Sequence, residues 1–560
     1  MSSATPSNPD AARKMIYADP ISGAMNETKH LAGSLNSRQI ELNRLWAFYA
    51  CQHYHGRKVD WDGKENLEHI ESEVVAQSGV LPPGFMDSGQ TLPLKFRKPT
   101  APYHLTRVIV NRFTGLLFGK KRAPKIHVID DKQTDDWIQA FITETRLWSR
   151  MILARTYGGA MGSVAVGFKF VNGVPVVEVH DPRWSFVDFE DVESGTLRSY
   201  EKRYLYPKEL RDPATGEWYI AQFWYRRVID KMRDRIWPAV PAEDDEEPDW
   251  NDPAYKVYQV EHGFGFVPVV WIQNHEVQGS EDGWSDCEGV YDLSESIDAL
   301  LSQANRGVLA NCDPSLVISS DSEGFANGVR KGSENALWVE KGGSVNYMEI
   351  TGNGPRTAMD LAKELRTLAL EVSQCVLDTN FEGPARTEEE VATNYSSMLE
   401  TADKLREQYG VGIYRLLKLV VKAARQLEEP NVSGAESNVR LISRTIKLPP
   451  KVESDSSGEN VTVTERVLGR GTTVELIWPN YGEPSLADAG QAVVSSSQAK
   501  MTGLIDLETA IKHIAPYFQI DNIAKVKAAA EKEMKAESAD VMQKIMSQAG
   551  AGVMSGKTKL

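Results

Sequence analysis

On a helical projection centred on Leu361, at about 100° per residue, Arg356, Lys363 and Gln374 fall nearly opposite that centre, and Arg366 lies about 60° from the nearest of those three. Asp360, Glu364, Glu371 and Asp378 gather along one flank. A sparse row of cations with an amide makes weak, non-specific and easily broken contacts to phosphate. On an isolated subunit the same face is simply solvated and mixed in charge. In a ring of subunits, the cations would face a central channel and the acids would meet the neighbour's bases. The segment that follows, Thr379, Asn380, Phe381, Glu382, Gly383, Pro384, Ala385 and Arg386, is rich in turn formers. Gly383 and Pro384 allow a sharp reversal, and Phe381 and Arg386 are placed to touch a passing strand. The plainer reading is an ordinary helix–helix connection.

Catalytic chemistry leaves little trace. Gly158 to Ser163 offers glycines but lacks the lysine of a phosphate-cradling loop, so small residues at a helix-to-strand turn explain it. The histidines show no HExxH spacing, and His53 and His55, two residues apart, would diverge on a helix. There is no GxSxG and no family-type Cys–His arrangement. Cys51, Cys287, Cys312 and Cys375 are widely separated and read as buried thiols in a reducing compartment. No catalytic site, cofactor site or metal site is expected.

The elements that must position the basic face are helical. Leu361, Leu365, Leu368, Val372 and Cys375 form one apolar stripe, which predicts a helix over 356–378 packed through Leu361, Leu365, Leu368 and Val372. A second stripe runs Val391, Tyr395, Met398, Ala402, Leu405, Tyr409, Ile413, Leu416, Val420, Ala423 and Leu427. At 1.5 Å per residue that helix spans roughly 60 Å, which suggests a scaffold. Gly410 and Gly412 lie within it, each costing about 1 kcal/mol relative to Ala, and mark either a bend or a packing gap.

At 560 residues, with a net charge of −15, the chain is long enough for several cores and would repel DNA on average. No apolar run approaches the ~18 residues that span a bilayer, and the polar N-terminus lacks a secretory core. Residues 1 to about 36 read as flexible. Ser37 is a plausible N-cap for the next helix, and further helices are expected at 106–119 and about 132–157. Alternating Val-, Tyr-, Phe- and Trp-rich segments at 163–170, 174–180, 184–189, 198–206, 217–227 and 256–261 predict an antiparallel sheet. The acidic AEDDEEPDW (242–250) reads as a solvated loop. A helix at about 285–311 and helix 356–378 flank a small β excursion, 435–482 returns to β pattern with a hairpin near 454–458, and the tail is helical. The expected fold class is α+β.

The order of these elements resembles the portal, or head-to-tail connector, proteins of tailed bacteriophages. The likeness rests on YHG (54–56), Asn111 leading to LLFGKKRAP (116–124), HDPRWSFVDFED (180–191), GFVPVVWIQN…GWSDCEGVYDLSESIDALLSQ (265–303) and GLIDLETAIKHIAPYFQIDNIAKVKAAAEKE (503–533). It covers most of residues 38 to 533; the acidic insert and the hairpin near 454–458 depart from it. The resemblance implies a homo-oligomeric ring of about twelve subunits at one capsid vertex. After an N-terminal arm (1–37), the wing would be 38–282 and 389–484, the latter including the long helix. The stem would be helices 283–311 and 356–378, the clip 312–355, the tunnel loop 379–388 and the crown 485–560. It also implies passage of double-stranded DNA driven by a separate terminase large subunit. Contacts with the major capsid or scaffolding protein and a head-completion adaptor follow, as does a place in the virion after assembly in the host cytoplasm, with no membrane. Two readings compete: an enzyme centred on 160–280, which would show an exposed cleft with a strongly shifted carboxylate, and an adaptor using the long helix as a coiled coil.

Overall fold

The computed structural model describes residues 36–54, 99–119, 122–171, 173–211, 216–242, 247–312, 315–319, 344–348, 353–377, 388–428, 446, 448–454, 461–464, 466–479, 481, 486–518, 526–527 and 529–532. The arm at 1–35, the segment 378–387 and most of the expected clip lie outside these residues. The chain is a mixed α+β protein of two units, residues 1–120 with 126–476, and residues 121–125 with 477–560.

In the first unit, α1 (Ser37–Tyr49) starts one residue earlier than Ser37 suggests. Asn36 is the cap: its side chain accepts from the Gln39 amide at 2.8 Å, and the Gln39 side chain accepts from the Asn36 amide at 3.2 Å. This reciprocal box satisfies two otherwise orphaned donors. α2 (Leu105–Phe118) is buried through Leu105, Ile109, Phe113 and Leu117. After β1 (Lys125–Val128), the helix expected over 132–157 is two helices, α3 (Lys132–Thr145) and α4 (Leu147–Met161). Arg146 stands between them at φ 50°, a left-handed break that lets Trp137, Ile138 and Phe141 on one side, and Leu147, Met151 and Ala154 on the other, all be buried.

The β region makes two antiparallel sheets. β2 (Ser163–Val171), β3 (Val174–His180) and β9 (Val269–Gln273) form one, in the order β3-β2-β9. β4 (Ser185–Asp191), β5 (Thr196–Arg211), β6 (Trp218–Asp230), β7 (Arg233–Pro241) and β8 (Tyr258–Glu261) form the other, a five-stranded meander. β7 is absent from the sequence reading because Pro238 lies within it. The strand accommodates it where the β6–β7 register shifts, between Trp224 and Arg226. Ala165, Val269 and Trp271 of the smaller sheet pack with Leu197, Tyr200 and Ile229 of the larger. Trp184, Tyr204, Trp224, Tyr225 and Trp237 build a second, aromatic core. The acidic segment 242–250 is not wholly solvated: Trp250 packs on that core, and Glu247 accepts from its indole and pairs with Arg203.

α5 (Tyr291–Cys312) leads to β10 (Ser315–Ser319), which pairs antiparallel with β11 (Ser344–Met348), and α6 (Asn353–Val372) returns against α5. α7 (Glu388–Glu428) is one uninterrupted helix of 41 residues that packs on β9, α2 and β2. β12 (Lys451–Ser454) and β13 (Val461–Thr464) pair antiparallel, and β14 (Val474–Ile477) pairs with β1. The second unit holds α8 (Leu486–Met501) and α9 (Leu507–Phe518), which pack together. Gly503, at φ 74°, ends α8 in a left-handed turn, and Asp506 caps α9 by accepting from the Thr509 amide. No helix among the described residues is long and apolar enough to cross a membrane.

Candidate assembly face on the helix pair

The α5–α6 pair is rooted through polar groups. Ser294, Asp298 and Ser302 recur every four residues on α5 and are all buried. Asp298 accepts from the Tyr54 hydroxyl at 2.8 Å and the Tyr103 amide at 2.7 Å, while the Ser302 hydroxyl accepts from the amides of Thr100 and Ala101 at 3.1 and 3.2 Å. Farther along, α5 and α6 approach at Gly307, where an added Cβ would lie 2.5 Å from Pro355 Cγ.

Just before α5, the loop carrying Asp286 is tied into the body. Arg155 of α4 donates through Nη2 to both Asp286 oxygens, at 2.9 and 2.8 Å, and both side chains are fully buried. Asn274 donates to Asp286 at 2.9 Å and accepts from the Tyr409 hydroxyl of α7 at 3.2 Å. Burial disfavours the Asp286 charge, but Arg155, His275 and Asn274 overcome this and hold its pKa below the usual carboxylate range. Burial raises the Tyr409 pKa above its ordinary value. Gly159 explains part of the glycine cluster at 158–163, because an added Cβ there would lie 2.6 Å from an Asp286 oxygen. The cluster is a packing notch around an ion pair. Its partners, 131 residues apart, carry no local sequence signal.

On α6, the residues buried against the chain are Ala362 and Ala369, at 3% and 0% exposure. The predicted packing stripe is displaced from them: Leu361, Leu368 and Val372 are 43%, 50% and 54% exposed, and only Leu365 is half-buried. On the helix projection the stripe lies about 100° from the alanine seam, so within this chain it is an apolar flank left open to water. Arg356 and Lys363 are exposed on another face, Lys363 with Asp360 at 3.3 Å.

Arg366 departs from the expected basic row. It is half-buried, donates to the Tyr103 hydroxyl at 3.1 Å and lies 5.7 Å from that ring's centroid, so it is engaged within its own chain. Gln374 departs as well, since α6 ends at Val372. Ser373 caps the helix, Gln374 takes φ 53°, and the Cys375 amide reaches back to the Leu370 carbonyl at 2.9 Å. This left-handed termination removes Gln374 from the helical face, and its side chain meets the Thr401 hydroxyl of α7. Thr379, Asn380, Phe381, Glu382, Gly383, Pro384, Ala385 and Arg386 lie outside the described residues.

Of the two glycines of α7, Gly412 lies in a close packing contact. The helix runs on through Gly410 and Gly412, and an added Cβ at Gly412 would lie 2.5 Å from Ile272 Cδ1 of β9. The α7 stripe is covered within the chain: Met398, Ala402, Leu405, Tyr409, Ile413, Leu416, Val420 and Ala423 are all buried. A coiled coil through that face would have to unpack the body first.

In the β region, the strongly displaced carboxylate is Glu178. Burial pushes it up, but Arg227, Lys169 and His180 outweigh burial and hold it well below the usual range. Arg227 also holds Asp234 through two donors, at 3.1 and 2.8 Å. These are closed ion pairs between strands, geometry that serves packing more readily than proton transfer. Among the described residues no group of three His, Cys, Asp or Glu is arranged to hold a metal ion.

No known protein-family model matches this chain, and no curated protein matches it in sequence.

Proposed function

We propose that this chain is the subunit of a phage-type portal: a ring at a capsid vertex through which double-stranded DNA is packaged by a separate terminase motor and later released. The observation that carries the reading is the open stripe of Leu361, Leu368 and Val372 on a helix that packs on its own chain through Ala362 and Ala369. Apolar side chains aligned over three turns and half in water gain roughly 1 kcal/mol each on being covered, and a neighbouring copy covers the same stripe in every subunit of a closed ring. The antiparallel α5–α6 pair joined through β10 and β11 suits a stem and clip, and the order of sequence segments resembles the portal family. Arg356 and Lys363 are the exposed stem cations that would meet phosphate, Lys363 by exchanging its surface pairing with Asp360, and the acidic remainder of the chain keeps such contacts transient.

Sedimentation and electron micrographs of the purified protein test this. The expected result is rings with a central hole of about 20–40 Å, wide enough for a duplex. Leu368→Asp should leave a folded subunit that no longer assembles, because an unpaired carboxylate buried at the interface costs several kcal/mol. A compact monomer at every concentration, or rings formed equally well by Leu368→Asp, would refute the assignment of this stripe.

A further inference from the structure

A cavity of about 330 Å³ lies between one face of α7 and the strand-and-loop segment 471–474, away from the helix pair and independent of the portal reading. Lys418, Val421, Lys422, Arg425 and Gln426 form one wall, and Gly471, Thr472 and Val474, with Thr134 of α3, form the other. Lys418, Lys422 and Arg425 stand at i, i+4 and i+7, so they line one helix face over about 10 Å. In a chain with a net charge of −15, none of the three is ion-paired to a carboxylate among the described residues. Lys422 instead lies 4.8 Å from the Phe266 ring centroid, and Lys418 lies 5.9 Å from that of Tyr414. Arg425 donates to the carbonyls of Gly469 and Gly471, at 3.1 and 2.6 Å, and its buried Nε finds no acceptor among the described residues. Asp130 and Asp131, which lie against the 471–473 wall, are already engaged by backbone amides of Gly471, Thr472 and Thr473.

We infer that this cavity is a docking site for an acidic peptide segment of a partner protein, one carrying carboxylates beside an apolar side chain. The charge calls for an anion. The floor selects among anions, because Val421, Val474 and the lysine stems offer apolar surface that a bare phosphate does not use and a leucine-sized side chain does. Successive lysines about 6 Å apart along α7 match carboxylates on alternate residues of an extended peptide, about 6.7 Å apart. The chain's own segment 429–445 fits poorly, since its two glutamates are balanced by two arginines.

Fluorescence anisotropy on the full-length protein tests this, using a labelled heptapeptide Glu-Asp-Leu-Glu-Asp-Leu-Glu as probe. Lys418 and Lys422 are exposed, so K418E/K422E should keep its melting temperature while weakening peptide binding at least about tenfold, with a flattened salt dependence. Thr472→Trp, which fills the cavity without changing charge, should weaken binding comparably. A peptide in which serine replaces both leucines should bind less well than the probe. Failure of the wild-type protein to bind the probe, or unchanged affinity in both variants, overturns the proposal. Stronger competition by inorganic pyrophosphate or by a short DNA duplex than by unlabelled peptide also overturns it, and makes the cavity a phosphate site.

Discussion

α6 and α7 are both amphipathic helices with apolar residues at three- and four-residue steps, yet their stripes have opposite fates. That of α7 is buried against β9, α2 and β2, and that of α6 is open along Leu361, Leu368 and Val372. Periodicity therefore identifies a helix and the direction its apolar face takes, but not who covers that face. A covered stripe stabilises the subunit, and an open one is available to a second molecule.

The contrast is broken most severely at the root of the helix pair. Asp286→Ala leaves Arg155 buried without its carboxylate and should cost about 3–5 kcal/mol in urea unfolding. A loss under 1 kcal/mol would mean the pair is not closed in solution. Next, Leu405→Ala on α7 should destabilise the subunit by about 2–5 kcal/mol at any protein concentration, whereas Leu368→Ala on α6 should stay within about 0.5 kcal/mol for the isolated subunit and reduce self-association. Equal effects at the two sites would erase the distinction.

Gly412→Ala separates packing from bending. An exposed helical glycine gains about 1 kcal/mol on becoming alanine, but here the methyl meets Ile272, and overpacking of about 1–3 kcal/mol should dominate. A rise in melting temperature would restore the bend. The smallest effect expected is at the C-terminal end of α7, where Asp131 holds the loop 469–473. The Gly471 amide, with help from Thr134 and Gln133, lowers the Asp131 pKa from 3.8 to about 2. That contribution is complete above about pH 4 and is lost as pH falls through 2. Asp131→Asn should therefore lose stability at neutral pH and show a shallower acid dependence than wild type between pH 4 and 2.

What the sequence made legible follows the range of the signals. The stripe from Val391 to Leu427 and the alternation at 163–180 are local patterns, and each marks an element that is present. Arg146 could not be read as a helix break, since neither Gly nor Pro marks it, and Pro238 concealed β7. The expectation for Arg366 rested on helical angle alone, and its contact with Tyr103, 263 residues away, carries no local signal. Arg155 with Asp286, and the cations of α7 facing 471–474, are likewise products of tertiary distance. Ser294, Asp298 and Ser302, polar at every fourth position beside the apolar stripe of α5, read in sequence as a solvated face, and only their tertiary partners show that they are buried.

That polar seam limits how the helix pair can move. Apolar surfaces tolerate small slips, because one methyl contact replaces another. Four directed hydrogen bonds to Asp298 and Ser302 do not. Sliding α5 by one turn, about 5.4 Å, would break all four together, so the seam works as an indexing pin. A load applied at the β10–β11 end is then carried to Tyr54 and residues 100–103 as torque about a fixed pivot. Such a load should tilt the pair as a lever rather than telescope it.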